Sequence, residues 1–437
     1  MGKVLLLIAV LVVGGTCCLS PERTWATDKK EEALTFTRDI APILRSSCQE
    51  CHHRGGIAPM PLVDYEEVRP WSRAIQEKVV ERSMPPFHAA GPLGRFVGDP
   101  RLTAEQIRKI SRWVDSGSPK GDPADLPPPR VWKSEWRGGQ PDMILTMRNP
   151  YRVKSSGNDD YPLFVLDYVL PEDTWIKGIE IRPGNRKVVH HANVYIVPAD
   201  LTVPSSGRMD DVFDPVAIGG RFVTAWKPGR APLIWANPIA LVLPKGSRFA
   251  IQMHYAPSQE EALDQTSIGF YFSDGLIQKQ SRVLYGGTRE IEIPPGEANY
   301  QIVVKRTFTE DALITGFTCH MHLRGKSFIV RLHYPDGRVE TAFHVPKYSV
   351  NWQELYVLAE PIRTPKGTVV EYISTWDNSA ANRLNPDPTK AVRWGDRASD
   401  EMMDGYLNYV ASDENLNVRV RLGRSVASTE TPSERRR

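Results

Sequence analysis

Two patterns of apolar and polar positions divide the chain. Before residue 118 the apolar residues recur at three- and four-residue spacing: Val68, Trp71, Ile75 and Val79 predict one helix, and Ile107, Ile110 and Val114 another. The second helix opens with Thr103 and Gln106 in a capping-box relation and stops at Gly117. The stretch "SPKGDPADLPPPRVW" then breaks the pattern; rich in proline and poor in apolar residues, it predicts a semi-rigid linker. Beyond it, "WIKGIEIR", "VVHHANVYIV", "RFAIQMHYA", "SFIVRLHY" and "TVVEYIST" are short, β-branched and aromatic, and separated by Pro, Gly and Asp turns. This predicts strands, and about 300 residues of such pattern predict two β-sandwiches in tandem rather than one.

The two ends read differently. Lys3 followed by "VLLLIAVLVV", small residues and "TWA" predicts a secretory signal over residues 1–26, with a mature chain from about Thr27. Export to the periplasm or beyond follows, with no membrane span once the signal is removed. Lipid attachment at Cys17 is the less favoured alternative, because Gly14 and Thr16 fit a lipid-attachment box poorly. The tail "STETPSERRR", residues 426–437 with Val426 and Ala427, is expected to be disordered. A net charge of +3 on 437 residues provides no concentrated basic surface, so nucleic acid is not an expected partner.

Removing the signal leaves Cys48, Cys51 and Cys319, too few for a disulfide framework. Two of these sit in "CQECH". Thiols at C-x-x-C spacing can add to the two vinyl groups of a haem, and the histidine that follows, His52, then lies beneath the iron. A zinc half-site or a redox disulfide are the competing uses. Zinc needs a second ligand pair nearby, and a redox dithiol has no need of His52. Helix, CxxCH, loop and terminal helix together resemble a class I cytochrome c. That resemblance implies a haem c domain over residues 28–125, with Met84 in "SMPPF" expected as the sixth iron ligand and Met60 and His88 as its rivals.

Five of the ten histidines cluster in the β region: His190 with His191, His254, and His320 with His322. Residues i and i+2 of a strand project from one face, so His320 and His322 can grip one metal ion. Adjacent His190 and His191 face opposite sides of a regular strand; to share a metal with His254 they need a bulge or twist at 190–191. Each cluster, taken alone, also fits buried histidines hydrogen-bonded to carbonyls. Cys319, between Thr318 and His320, should face away from such a metal as a small buried thiol.

In order along the chain, "HHANVY", "QMHYA", "HMHLRGK" and "SDEMMDGY" resemble the catalytic core of the copper type II, ascorbate-dependent monooxygenases, the family of peptidylglycine hydroxylating and dopamine β-monooxygenases. The whole chain further resembles bacterial proteins in which a cytochrome c domain precedes such a core. The fold this implies is multidomain: a small all-α cytochrome c domain (28–125), a Pro-rich linker (126–135), and two tandem all-β jelly-roll-like sandwiches (136–287 and 288–425). The resemblance implies two copper ions beside the haem c. His190, His191 and His254 match the electron-transfer copper site, and His320, His322 and Met402 match the oxygen-binding site, with Met402 favoured over Met403. Tyr406 matches a substrate-side tyrosine. Soft thioether beside imidazole favours Cu(I), the state that meets O2.

Departures narrow the expectation. No disulfides are available, Thr318 stands where the peptidylglycine enzymes carry a carboxylate-binding arginine, and Asp404 replaces a neighbouring asparagine. Amidation of glycine-extended peptides is therefore not expected. The implied activity is hydroxylation, with O2, of an activated C–H bond in a small molecule or peptide, using electrons from an external donor supplied or relayed by the haem. The alternative is an exported haem and copper electron-transfer or copper-binding protein without hydroxylase activity.

Overall fold

The computed structural model describes residues 33–425 apart from 55, 57, 131–135, 158, 210–214, 227–231, 258–259, 351 and 396, and apart from the side chains of 216 and 217. The expected signal, the tail and the last five residues of the linker lie outside the described residues.

The N-terminal unit is built on helices Ala41–Ser47, Tyr65–Val68, Ser72–Val80 and Ala104–Asp115. The last of these begins as expected: the Thr103 hydroxyl accepts from Gln106 N at 3.1 Å, and the Gln106 side chain accepts from Thr103 N at 2.8 Å. It ends before Gly117, whose φ of 91° only glycine adopts easily. Phe36, Leu44, Val68, Ile75, Ile110 and Trp113 form the unit's core. Trp71, expected on the core face, lies instead in the 3₁₀ turn Arg69–Trp71 and is exposed. The all-α cytochrome c domain is evident only in part. Its few helices are short, and the Pro- and Gly-rich residues between 84 and 101 make no helix; they run out to the second sandwich.

Strands dominate the rest. In the first sandwich one sheet runs, in spatial order, through Met143–Thr146, Ser267–Phe272, Thr174–Arg182, Ile239–Leu243 and Lys279–Gln280. The facing sheet runs through Arg208–Met209, Leu163–Val169, Arg248–Tyr255, Val189–Val197 and Arg221–Trp226. Ile176, Ile179, Val194, Phe249, Ile251, Ile268 and Phe270 pack between the two. The second sandwich pairs the sheet Arg282–Tyr285, Asp404–Ala411, Ala312–His320, Tyr356–Thr364 with the sheet Tyr300–Thr307, Val369–Trp376, Gly325–His333, Val339–Val345.

The chain changes sandwiches earlier than the expected 287/288 boundary, because Arg282–Tyr285 already pairs with Asp404–Ala411. It also returns. Val418–Arg421 pairs with Gly275–Ile277, and Val420 is buried with Trp175, Ala240 and Ile277 on the first sandwich. Among the described residues no helix is long and apolar enough to cross a membrane.

Candidate metal centres

Along Arg248–Tyr255, Phe249, Ile251, Met253 and Tyr255 fill the first core, so His254 stands on the opposite face of its sheet. On the neighbouring strand His254 is opposite His191 but Tyr255 is opposite Val189, which makes His190 the extra residue of a β-bulge. The irregularity expected at 190–191 is present, and it turns both imidazoles toward His254. The Nδ1 atom of His191 lies 3.3 Å from that of His190 and 3.2 Å from that of His254. A metal about 2.0–2.1 Å from nitrogens in tetrahedral disposition spaces them about 3.3 Å apart, so the donor set fits a metal ion. His254 Nε2 donates to Asp159 at 2.7 Å, which leaves Nδ1 as the lone-pair nitrogen, and Tyr161 stacks on the ring with centroids 4.3 Å apart. The bond from His254 holds the Asp159 carboxyl below its ordinary range.

A second bulge orients the other site. On Ala312–His320 the inward residues are Ala312 and Ile314, then Phe317 and Cys319, because Thr315 is an extra residue against Asp404–Ala411. Without that slip the even positions would continue inward and bury His320. With it, Cys319 packs in the core, as expected, while Thr318 and His320 face the cleft. His320 and His322 lie with ring centroids 5.0 Å apart. His320 Nδ1 donates to Gln353 Oε1 at 2.5 Å and His322 Nδ1 to the Asp400 carbonyl at 3.2 Å, so Nε2 is the nitrogen each ring presents as a ligand. Burial, with the charge of His320 adding to it, holds His322 down to about 3 and keeps its ring neutral.

Met402 is placed by its neighbour. The buried Glu401 carboxylate accepts from His322 N at 2.9 Å, Arg324 N at 2.6 Å and Trp376 Nε1 at 3.0 Å. Burial pushes this carboxyl up to about 7. These bonds clamp residues 400–402 onto the His320–Arg324 turn. Met402 faces the cleft while Met403 is fully buried in the core.

One cleft of about 960 Å³ is lined by all six residues, His190, His191 and His254 from one sandwich and His320, His322 and Met402 from the other. Tyr406 lines it too; its ring stacks on Phe222 of the first sandwich at 4.6 Å, and its cross-strand partner is Thr318. Tyr285 donates to Asp404 at 2.6 Å, and burial pushes the Asp404 carboxyl up to about 6.

No family model matches the chain. Among solved structures it is similar to a peptide-N(4)-(N-acetyl-β-D-glucosaminyl) asparagine amidase, at 10% identity over 62% of this chain and 98% of that one, with a TM-score of 0.28. It is also similar to the major capsid protein P2 of bacteriophage PM2, at 9% identity over 62% of this chain and 99% of that one, with a TM-score of 0.24. Neither likeness is close enough to bear on fold or function.

In the helical unit Cys48 caps Ala41–Ser47, and both Cys51 N and His52 N donate to its carbonyl, at 3.2 and 3.0 Å. Cys48 and Cys51 are free thiols, and burial pushes Cys48 up to about 12. His52 Nδ1 donates to the Met60 carbonyl at 3.0 Å, which leaves Nε2 as the lone-pair nitrogen, and burial lowers the ring's pKa. Two thiols and an imidazole of this tautomer suit a c-type haem in donor chemistry. Met84 is 44% exposed; Met60 packs against the helical core with Cys48, and His88 Nδ1 donates to the Lys347 carbonyl at 2.8 Å.

Sequence reasoning missed Asp159, Gln353 and Glu401, which hydrogen-bond His254, His320 and the His322 backbone from distant segments. It also missed how residues 87–97 join the second sandwich. Ala90 N donates to His344 O at 2.8 Å, Val97 N to Val357 O at 2.9 Å, and Ala359 N to Arg95 O at 3.0 Å. Phe96, 2% exposed, packs against Phe87, Phe343 and Tyr356 at 5.6–6.3 Å between ring centroids.

Proposed function

We propose that this chain is an exported copper-dependent monooxygenase that hydroxylates a C–H bond with O2, its electrons supplied or relayed by a covalently attached haem c. The observation that carries the reading is the meeting of six ligand side chains, in two different donor sets, around one cleft. On this reading the helical unit is a reduced cytochrome c domain and the sandwiches are of jelly-roll type.

Copper at the two sites supplies one-electron redox chemistry and O2 activation, and haem supplies a one-electron carrier. The protein's part is to make the sites unlike. His190, His191 and His254 form an all-imidazole set that suits both copper oxidation states, with Asp159 and Tyr161 holding the third ring still. His320 and His322 are turned Nε2-outward by Gln353 and the Asp400 carbonyl, and Glu401 sets the reach of the Met402 thioether. A substrate enters the shared cleft, where Tyr406 and Thr318 stand beside His320. Thr318 provides no charge for a peptide carboxylate, so the substrate is a small molecule or peptide recognised otherwise.

The test is a screen of C–H substrates with ¹⁸O2 on copper-loaded, haem-reduced protein. Hydroxylated product carrying one labelled oxygen, with O2 uptake stimulated by that substrate, is the expected result. Uptake that no substrate changes contradicts the reading and favours an electron-transfer or copper-binding protein.

A further inference from the structure

The two candidate centres differ in what their rings bond on the side away from the metal. In the first, His254 Nε2 donates to the Asp159 carboxylate at 2.7 Å. In the second, the acceptors are neutral: His320 Nδ1 donates to Gln353 Oε1 at 2.5 Å, and His322 Nδ1 to the Asp400 carbonyl at 3.2 Å. Gln353, 3% exposed, donates its amide to Val350 O at 2.8 Å, which fixes Oε1 as the atom that meets His320. The carboxyls nearest this second site bond other donors. Glu401 accepts from His322 N, Arg324 N and Trp376 Nε1, and Asp404 Oδ1 accepts from Tyr285 at 2.6 Å.

An acceptor on the second nitrogen of a ligand imidazole draws on its N–H proton and makes the other nitrogen a stronger donor. A carboxylate does this more than an amide, because the bond is charge-assisted. A stronger donor favours Cu(II), the more highly charged ion. A neutral acceptor leaves the ring an ordinary imidazole, and a thioether beside it favours Cu(I). Outer contact and donor set therefore act together at each site, and oppositely between the two.

We propose that Asp159 and Gln353 set the order in which the two coppers are reduced: the His320–His322–Met402 copper takes the first electron, and the three-histidine copper is held as Cu(II). The inference rests on the functional reading above. In the step a one-electron donor, the haem or a chemical reductant, gives up one electron and one Cu(II) becomes Cu(I); no covalent bond is made or broken. Asp159 and Gln353 are positioning residues, acting through His254 and His320. The site that this reading assigns to O2 is thereby the first to reach the state that binds it.

The experiment is a potentiometric titration of the full mature protein loaded with Cu(II), followed by EPR of frozen samples. His320→Ala/His322→Ala and His191→Ala supply the reference spectrum of the copper each retains. The expected result is that the His320-site signal disappears first, its reduction equilibrium more favourable by about tenfold or more, which is about 59 mV in midpoint. Asp159→Asn, which exchanges a charged acceptor for a neutral one, should make the three-histidine copper roughly tenfold easier to reduce and leave the other unchanged. Gln353→Glu, of nearly the same shape, should make the His320-site copper roughly tenfold harder to reduce. The two changes lie at different sandwiches, so either tests the inference if the other fails to fold. Coincident midpoints, earlier reduction of the three-histidine copper, or unmoved midpoints in variants that keep both coppers overturn the inference and leave the functional reading standing. Purified protein that takes up no copper overturns that reading, and the inference with it.

Discussion

Asp159→Ala isolates one outer contact of one candidate site. His254 Nε2 donates to Asp159 at 2.7 Å, and that bond, beside the Tyr161 stack, holds the ring with Nδ1 toward His190 and His191. A hydrogen bond to a charged group contributes about 1.5–3 kcal/mol when sheltered from water. The Asp159 side chain is 42% exposed, so solvent screening takes the figure to about 1–1.5 kcal/mol. That is roughly a tenfold loss of copper affinity, at the low end of what losing such a partner costs. Competitive titration with a Cu(I) chelator measures it, and the His320 site, in the other sandwich, is the internal reference. Asp159→Asn, which keeps an acceptor oxygen, should lose less. Unchanged affinity in Asp159→Ala, or equal weakening of both coppers, would refute the claim that this carboxylate orients a metal ligand.

Three further outcomes are expected. Phe96→Ala removes a ring buried among Phe87, Phe343 and Tyr356, and should cost about 3–5 kcal/mol, read as a lower Tm and faster proteolysis between residues 84 and 101. Met84→Ala should abolish thioether ligation in the ferric haem spectrum; loss in Met60→Ala instead would assign the sixth ligand to the methionine that packs with Cys48. Burial raises the Glu371 carboxyl, but hydrogen bonds from His333 and Lys305, each at 3.2 Å, outweigh it and hold the group below its ordinary value. A depressed folded-state pKa gives stability that is present above the unfolded value and lost as pH falls through the folded one, so Glu371→Gln should lower Tm at neutral pH and match the parent in acid.

The candidate ligands themselves were legible because each motif is local. Two histidines at i and i+2, an adjacent pair that needs a bulge, and a methionine next to a core methionine are all statements about one strand or turn. What set their orientation was less visible. The bulge at Thr315, which turns His320 outward, leaves only the weak mark of Gly316 inside a strand pattern. Asp159, Gln353 and Glu401 meet their partners across 95, 33 and 79 residues of chain, and a lone carboxylate or amide carries no periodicity that points to a distant ring. The helical unit was read from spacing that stops at residue 80 and resumes at 104; the segment between them takes its structure from strand Tyr356–Thr364, so no local pattern announces it. The return of Val418–Arg421 to the first sandwich is likewise a long-range pairing.

Metal analysis of the purified mature protein tests the central claim most directly. Two coppers and one iron per chain, with one copper lost in His320→Ala/His322→Ala and the other in His191→Ala, is the predicted result. A chain that binds no copper, or one in which either change strips both coppers together, contradicts two separate copper sites facing one cleft.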